Sequence, residues 1–195
     1  MARGIATENF DKVEIDSTEA LWTWLGAHHA QPDSIWLVTW KADCTSKYVS
    51  REEVLDALVA HGWIDGIRRK LDDKRTMQLI SPRKTQYWAK SYKDRADRLI
   101  AEGLMHPSGQ RSIDNGRASG LWSFMDDVDA LILPDDLIQA LSALPPADTH
   151  FAGFAASKRR NILRWIKLAK TPATRASRIA QAATLAQENK TPPQM

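Results

Sequence analysis

SREEVLDALVAHGWIDGIRRKLDDKRTMQLISP, residues 50–82, changes its periodicity twice within one short run, and that change decides the fold class. SREEVLDALVAHG (50–62) is a helix. Ser50 with Glu53 three residues later makes a capping box, and Gly62 stands where a left-handed C-terminal residue is expected. WIDGIRRK and RTMQLI follow, joined by the polar LDDK, and read as a β-hairpin. A helix running straight into a hairpin implies mixed α and β structure with antiparallel pairing.

Upstream, KVEI (12–15) predicts a short strand, and Asp16 or Ser17 caps the helix after it. In that helix Leu21, Trp24, Leu25 and His28 share one face at i, i+3, i+4 and i+7. SIWLVTW (34–40) is apolar on both alternations, the pattern of a central strand covered on both faces. Downstream of Ser81-Pro82 only helical patterns occur. DRADRLIAEG closes at Gly103, Pro107 opens a turn or helix through SGQRSIDNGRASG, and Pro134 fits the first helical position of PDDLIQAL. The expected fold is α+β, with a small antiparallel or mixed sheet and two helices over residues 1–82. A helical portion over 83–187 is expected to pack on it as one compact unit, and 188–195 to form a disordered tail.

With 43% hydrophobic and 26% charged residues in 195, the chain has the composition of an ordinary soluble protein long enough to bury its own core. Eight Trp residues belong to that core or to pocket walls. A single cysteine, Cys44, excludes an intramolecular disulfide and any multi-cysteine metal site. MARGIATENFDKVEID has no apolar signal region and no later stretch approaches a membrane span, so a cytoplasmic protein is expected. The net charge of +3 hides a strong polarity along the chain. Residues 126–148 carry six acidic residues and no Lys or Arg, whereas 149–195 carry nine Lys or Arg and one acidic residue. Adjacent blocks of opposite sign can neutralise each other within the fold.

Nucleotide-binding glycine loops, zinc-protease, nucleophile-elbow and EF-hand patterns are all missing, so no cofactor or metal is expected. Asp65 is the most informative carboxylate. On a strand it shares a face with Trp63 and Ile67, where burial would raise its pKa and a nearby arginine would lower it. A structural role, accepting hydrogen bonds that fix the hairpin, is favoured over an acid/base role. His28 and His29 diverge around a helix and do not form a metal pair. MDDVDALILPDD (125–136) lacks the turn glycine and final glutamate of a calcium loop, and reads as a solvated or arginine-paired acidic loop.

The basic segment SKRRNILRWIKLAKTPATRASRI (157–179) holds eight Lys or Arg and no acid. With Ser157 as N-cap, Ile162, Trp165, Ile166 and Ala169 form a core face, and Arg160, Arg164 and Lys167 face solvent. Thr171 and Pro172 start the next helix, where Arg175 falls on the apolar stripe of Ile179, Ala182, Ala183 and Ala186. A partner from 126–136, or Asp65, is expected for it. Lys158, Arg159 and Arg160 occupy a first helical turn, where the macrodipole disfavours cations, so an anion is needed nearby.

GWIDGIRRKLDDKR (62–75), SPRK (81–84), RLIAEGLMHPSG (98–109) and the basic segment occur in an order that resembles the bacterial family labelled bacteriocin-protection, YdeI or OmpD-associated, also called OmdA-like. The resemblance spans roughly residues 10–185. It implies a loose connection with the cell envelope and antimicrobial-peptide resistance, with no established reaction and a periplasmic setting for some members. The family's Trp-Ser-Lys-x-Asn stands here as WAKSY (88–92), which removes two polar positions and leaves Ser91 to cap the following helix. The leading expectation is a non-enzymatic cytoplasmic protein that binds a protein partner or small ligand. Its candidate binding residues are Trp63, Asp65, Arg68, Trp88, Arg160, Arg164, Lys167, Arg175 and Arg178, placed where the layers meet. The alternatives are a nucleic-acid-binding protein using the 157–178 surface, and an enzyme with Asp65 as acid or base.

Overall fold

The computed structural model describes residues 9–192; residues 1–8 and the last three of the expected tail, 193–195, lie outside the described residues. The elements are β1 (Lys12–Glu14), α1 (Thr18–His28), β2 (Ile35–Trp40), α2 (Arg51–Ala60), β3 (Trp63–Lys70), β4 (Arg75–Pro82), α3 (Lys90–Ala101), α4 (Pro107–Ala118), α5 (Asp126–Asp129), α6 (Asp135–Ser142), α7 (Ala147–Gly153), α8 (Ala156–Lys167) and α9 (Pro172–Gln187). The fold is α+β with a helical second half. Two compact units, Met1–Trp122 and Ser123–Met195, divide the chain. That division falls after α4, well past the change in sequence character at Pro82.

In the first unit a mixed four-stranded sheet has the order β1-β2-β4-β3. β1 runs parallel to β2 through the α1 crossover, while β2–β4 and β4–β3 are antiparallel. Ile35 to Thr39 are all buried, as the double-sided apolar pattern of β2 requires. Ser17 caps α1 by accepting from the Ala20 amide at 3.1 Å, and Ser50 and Glu53 complete the α2 capping box. Gly62 adopts φ +77°, the left-handed stop predicted for it.

α2 buries Val54, Leu55 and every residue from Ala57 to Ala60, too wide an apolar surface for one contact. It serves two cores. Val54, Ala57 and Leu58 pack with Leu21, Leu25, Leu37, Trp63 and Ile80 beneath the sheet. Val59 and Ala60 pack with Trp88, Ala96, Leu99 and Ile113 of the α3–α4 layer. The C-terminal carbonyls of α2, which a helix leaves unpaired, are taken by that layer. The His106 amide donates to the Ala60 carbonyl at 3.1 Å and the Ser108 hydroxyl to that of His61 at 2.9 Å.

In the second unit α9 packs against α6, α7 and α8, and α8 also meets α5. Ile179, Ala182, Ala183 and Ala186 of α9 are buried with Leu137, Leu141, Phe151, Ile162, Leu163 and Ile166. α9 is capped by Thr171, whose hydroxyl accepts from the Thr174 amide at 3.1 Å. The expected tail begins as an ordered stop: Asn189 takes φ 54° and the Lys190 amide donates to the Leu185 carbonyl at 2.8 Å.

Several local expectations are corrected. α8 starts at Ala156 with Ala155 as N-cap and no side-chain cap, so Ser157 lies inside the first turn. Likewise Ala89 precedes α3 without a side-chain cap, and Ser91 does not serve as one. Pro134 is the N-cap of α6 rather than its first residue. His28, placed by its spacing on the apolar face of α1, is exposed; it stacks on Trp24 with ring centroids 4.4 Å apart and bonds the Trp24 carbonyl through Nδ1.

Candidate functional site

Asp65 sits at the centre of a polar network built on β3, β4 and α3 of the first unit. Trp63 and Asp65 share a face, as strand alternation dictates, but Ile67 does not continue it and is 49% exposed. The reason is a bulge: Asp65 stands opposite Ile80 whereas Arg68 stands opposite Gln78, so β3 spends one extra residue between them. The bulge at Gly66 and Ile67 turns Arg68 onto the face that Ile67 was expected to hold.

Gln78 is 7% exposed and links the two charges. Its Oε1 accepts from Arg68 Nη2 at 3.0 Å, and its Nε2 donates to Asp65 Oδ2 at 3.0 Å. Those two partners fix the orientation of the amide. The other oxygen, Oδ1, accepts from the Tyr92 hydroxyl on α3. Burial pushes the Tyr92 phenol above the ordinary tyrosine range, and the hydrogen bond and charge of Asp65 push it further.

Arg83, just beyond β4, completes the cluster. Its guanidinium lies 4.0 Å from the Trp88 ring centroid and 5.0 Å from that of Tyr92. Nη1 donates to the Gln86 and Tyr87 carbonyls at 3.4 and 3.2 Å, closing the link between β4 and α3. Nε and Nη2 are buried with no hydrogen-bond partner among the described residues. Burial lowers its pKa to about 10, against the opposing pull of Tyr92 and Asp65, and it stays cationic at neutral pH. Trp63 and Trp88, by contrast, are core residues, 0% and 1% exposed. Trp88 packs so tightly on α4 that a Cβ at Gly116 would fall 2.6 Å from its Nε1.

In the second unit the basic segment divides into partnered and free residues. Lys167 Nζ lies 2.5 Å from Asp127 Oδ1 and 4.9 Å from the Phe124 ring centroid, so it is not the solvent-facing residue expected. Arg175 meets Asp136 through two bonds, Nε at 2.7 Å and Nη2 at 2.9 Å. The bond from Arg175 holds the Asp136 carboxyl below its usual range. Burial alone would raise Asp127, but the bond and charge of Lys167 together with the Val128 amide outweigh it and leave that carboxyl low as well. Arg160 is 3.9 Å from Asp129, and Arg178 bonds the Trp165 carbonyl while lying 5.2 Å from its ring. Arg164 is exposed and has no partner among the described residues.

The acidic block therefore supplies the internal anions that the charge pattern called for. What the sequence did not signal is the identity of the Asp65 partners, Tyr92 and Gln78, or the part played by Arg83. Among the described residues no group of His, Cys, Asp or Glu is arranged to hold a metal, and no helix is long and apolar enough to cross a membrane.

Comparison with curated proteins and with solved structures found no match to the chain. Two families do match. Residues 130–189 match OmdA, described as Bacteriocin-protection, YdeI or OmpD-Associated, which takes in the Arg-Arg-x-Ile-Leu-Arg-Trp-Ile helix. The Gly-Trp-Ile-Asp-Gly turn, the SPRK link and the Asp65 network fall within the other match, residues 13–112, so the chain belongs to the family described as Domain of unknown function (DUF8412) and carries an OmdA region behind it.

Proposed function

We propose that the chain is a non-enzymatic cytoplasmic binding protein of the YdeI/OmpD-associated kind. Any envelope-protection role would then be exercised through what it holds rather than through a reaction. The observation that carries this reading is that both oxygens of Asp65 are already engaged by fixed donors, Gln78 and Tyr92. Tyr92 keeps its proton, Arg83 keeps its charge, and both oxygens of Asp65 already accept a hydrogen bond. Acid/base turnover needs a group poised to exchange a proton near working pH. A cluster of held donors around a carboxylate engaged at both oxygens suits recognition instead. Arg83, whose buried Nε and Nη2 lack an acceptor among the described residues, favours a small ligand or partner group bearing an anion or carbonyl that reaches into the cluster.

A thermal-shift panel of small carboxylates, phosphates and sugars tests this, with Asp65→Asn and Arg83→Met as controls. The expected result is a saturable shift for the unaltered protein that disappears in Arg83→Met. Equal shifts in all three proteins would remove the cluster from the reading. Fractionation of the untagged protein is expected to place it in the cytosol; a processed periplasmic form would overturn that part.

A further inference from the structure

A pocket of about 120 Å³ lies among α6, α7 and the start of α8, inside the OmdA region. Leu133, Ile138, Leu141 and Phe151 make its apolar walls, and Arg159 and Asp148 stand on its lining with opposite charges. Arg159 is the anomaly. Its neighbours in the basic segment, Arg160, Lys167 and Arg175, each have a carboxylate of the acidic block. Arg159 is half-buried, makes no ion pair or side-chain hydrogen bond among the described residues, and has an Nε shielded from solvent with no acceptor.

A guanidinium whose Nε is sealed from water with no acceptor, on a half-buried side chain with no anion beside it, is unfavourable. Its position adds a second penalty, because it sits in the first turn of a helix with no acidic residue there and no side-chain cap. One anion at the mouth of the pocket relieves both. The cavity specifies what that anion is attached to. At ~30 Å³ for each water-sized group, the space takes on the order of four heavy atoms, the carbon count of a leucine side chain. Asp148 adds an acceptor for a nitrogen: its Oδ1 is engaged with the Thr149 amide at 2.7 Å, which leaves Oδ2.

We infer that this pocket binds an aliphatic residue carrying a free α-carboxylate, with Arg159 holding the carboxylate and Asp148 receiving the α-nitrogen. That chemistry has two sources, a free branched-chain amino acid and the C-terminus of a peptide. The site is separate from the Asp65 cluster and does not depend on it.

Calorimetric titration of the full chain with L-leucine, N-acetylglycyl-L-leucine and L-leucinamide distinguishes them. Saturable binding of leucine at or below ~1 mM is expected, with leucinamide at least about tenfold weaker because it lacks the charged oxygens. Binding of the acetylated dipeptide as well as leucine assigns the site to peptide ends; binding of leucine alone assigns it to the free amino acid. Arg159→Met, which keeps the apolar stem, should weaken either ligand by at least about tenfold while circular dichroism stays unchanged. Asp148→Asn should weaken leucine more than the acetylated peptide, whose nitrogen is uncharged. No saturable binding of either carboxylate by ~10 mM, equal affinity for leucinamide, or full affinity in folded Arg159→Met would each overturn the proposal.

Discussion

Removing Arg175 tests how the basic segment contributes to stability. The apolar stripe of α9 led to the expectation of an at least partly buried arginine with a carboxylate partner; were that pair fully buried, its disruption would cost about 3–5 kcal/mol by stranding a desolvated carboxylate. The side chains of Arg175 and Asp136 are in fact 33% and 47% exposed, so water screens the pair and re-solvates whichever partner is left. Exposed pairs contribute ~0.2–1 kcal/mol, and the two-bond geometry places this one toward the upper end. Arg175→Ala should therefore lower stability by about 1 kcal/mol, shifting the urea midpoint by roughly 0.3–1 M. Arg164→Ala, with no partner to lose, should stay within ~0.5 kcal/mol. A double-mutant cycle with Asp136→Ala isolates the pair, and hydrogen exchange over α6 and α9 confirms that the loss is local. The sign of the pH dependence follows from the lowered Asp136 carboxyl. Its contribution is fully present above the unfolded value of 3.8 and is lost as pH falls through the lower folded value. The coupling should also shrink in ~1 M salt. A loss of 3 kcal/mol or more would mean that the pair is desolvated after all, and zero coupling at pH 7 would mean that it does not form.

Three further outcomes are expected. His61 and His106 are held below the ordinary histidine range by burial first, and by the charges of neighbouring histidines, with Arg111 also acting on His106. Both are thus kept neutral in the fold, so the stability of the first unit should be complete above about pH 6.5 and decline as pH falls below it; a urea midpoint at pH 5 equal to that at pH 7.5 would contradict this. Gly109→Ala would place a Cβ 2.1 Å from the Ala60 carbonyl oxygen and 2.5 Å from Met105 Sδ, and should destabilise by at least ~3 kcal/mol. Gly153→Ala, with nothing within 4 Å, should be neutral or stabilising, and thermal unfolding compares the two. DNA binding should be weak and sequence-independent, fading between ~50 and ~200 mM salt in a fluorescence-anisotropy titration; nanomolar binding to one duplex at physiological salt would favour the nucleic-acid reading.

The parts of this fold that were legible in the sequence are those whose causes are local. The capping box of α2, the left-handed stop at Gly62, the Thr171-Pro172 start of α9 and the hairpin each depend on residues within a few positions of one another. The parts that were not legible depend on contacts distant in sequence. α3 and α4 read as the beginning of a helical half, yet they complete the first unit because α2 is apolar over more of its circumference than the sheet can cover. Asp65 stood out as a carboxylate on an apolar face. Its partners lie thirteen and twenty-seven residues away, and the bulge that replaces Ile67 with Arg68 has only Gly66 as its local sign.

The basic segment shows how far charge patterning reaches without geometry. An acidic block beside a basic one predicted mutual neutralisation, and three pairs carry it, joining Asp127, Asp129 and Asp136 to Lys167, Arg160 and Arg175. Helix periodicity then placed Lys167 outside and Arg175 at least partly inside; the first assignment fails, whereas Arg175 is half-buried and takes its partner, Asp136, from the acidic block as expected. Periodicity fixes the direction of Cα–Cβ, whereas long cationic side chains reach several ångströms beyond it and lie along apolar surface to place their charge beside a carboxylate or at the solvent edge. Lys167 reaches back over Phe124 to Asp127, and Arg175 reaches outward to Asp136. Arg178 does the same over Trp165, which removes the one aromatic ring of α8 from any role in stacking on bases. Lys158, Arg164 and Lys170 are the exposed cations that remain on this segment, and they offer phosphate contacts without a means of reading sequence. On this segment Arg159 is the cation that is half-buried, has its Nε sealed from water and has no partner among the described residues. The cation that the charge pattern leaves unexplained is thus the one that lines a pocket, and that coincidence separates a site from a merely basic surface.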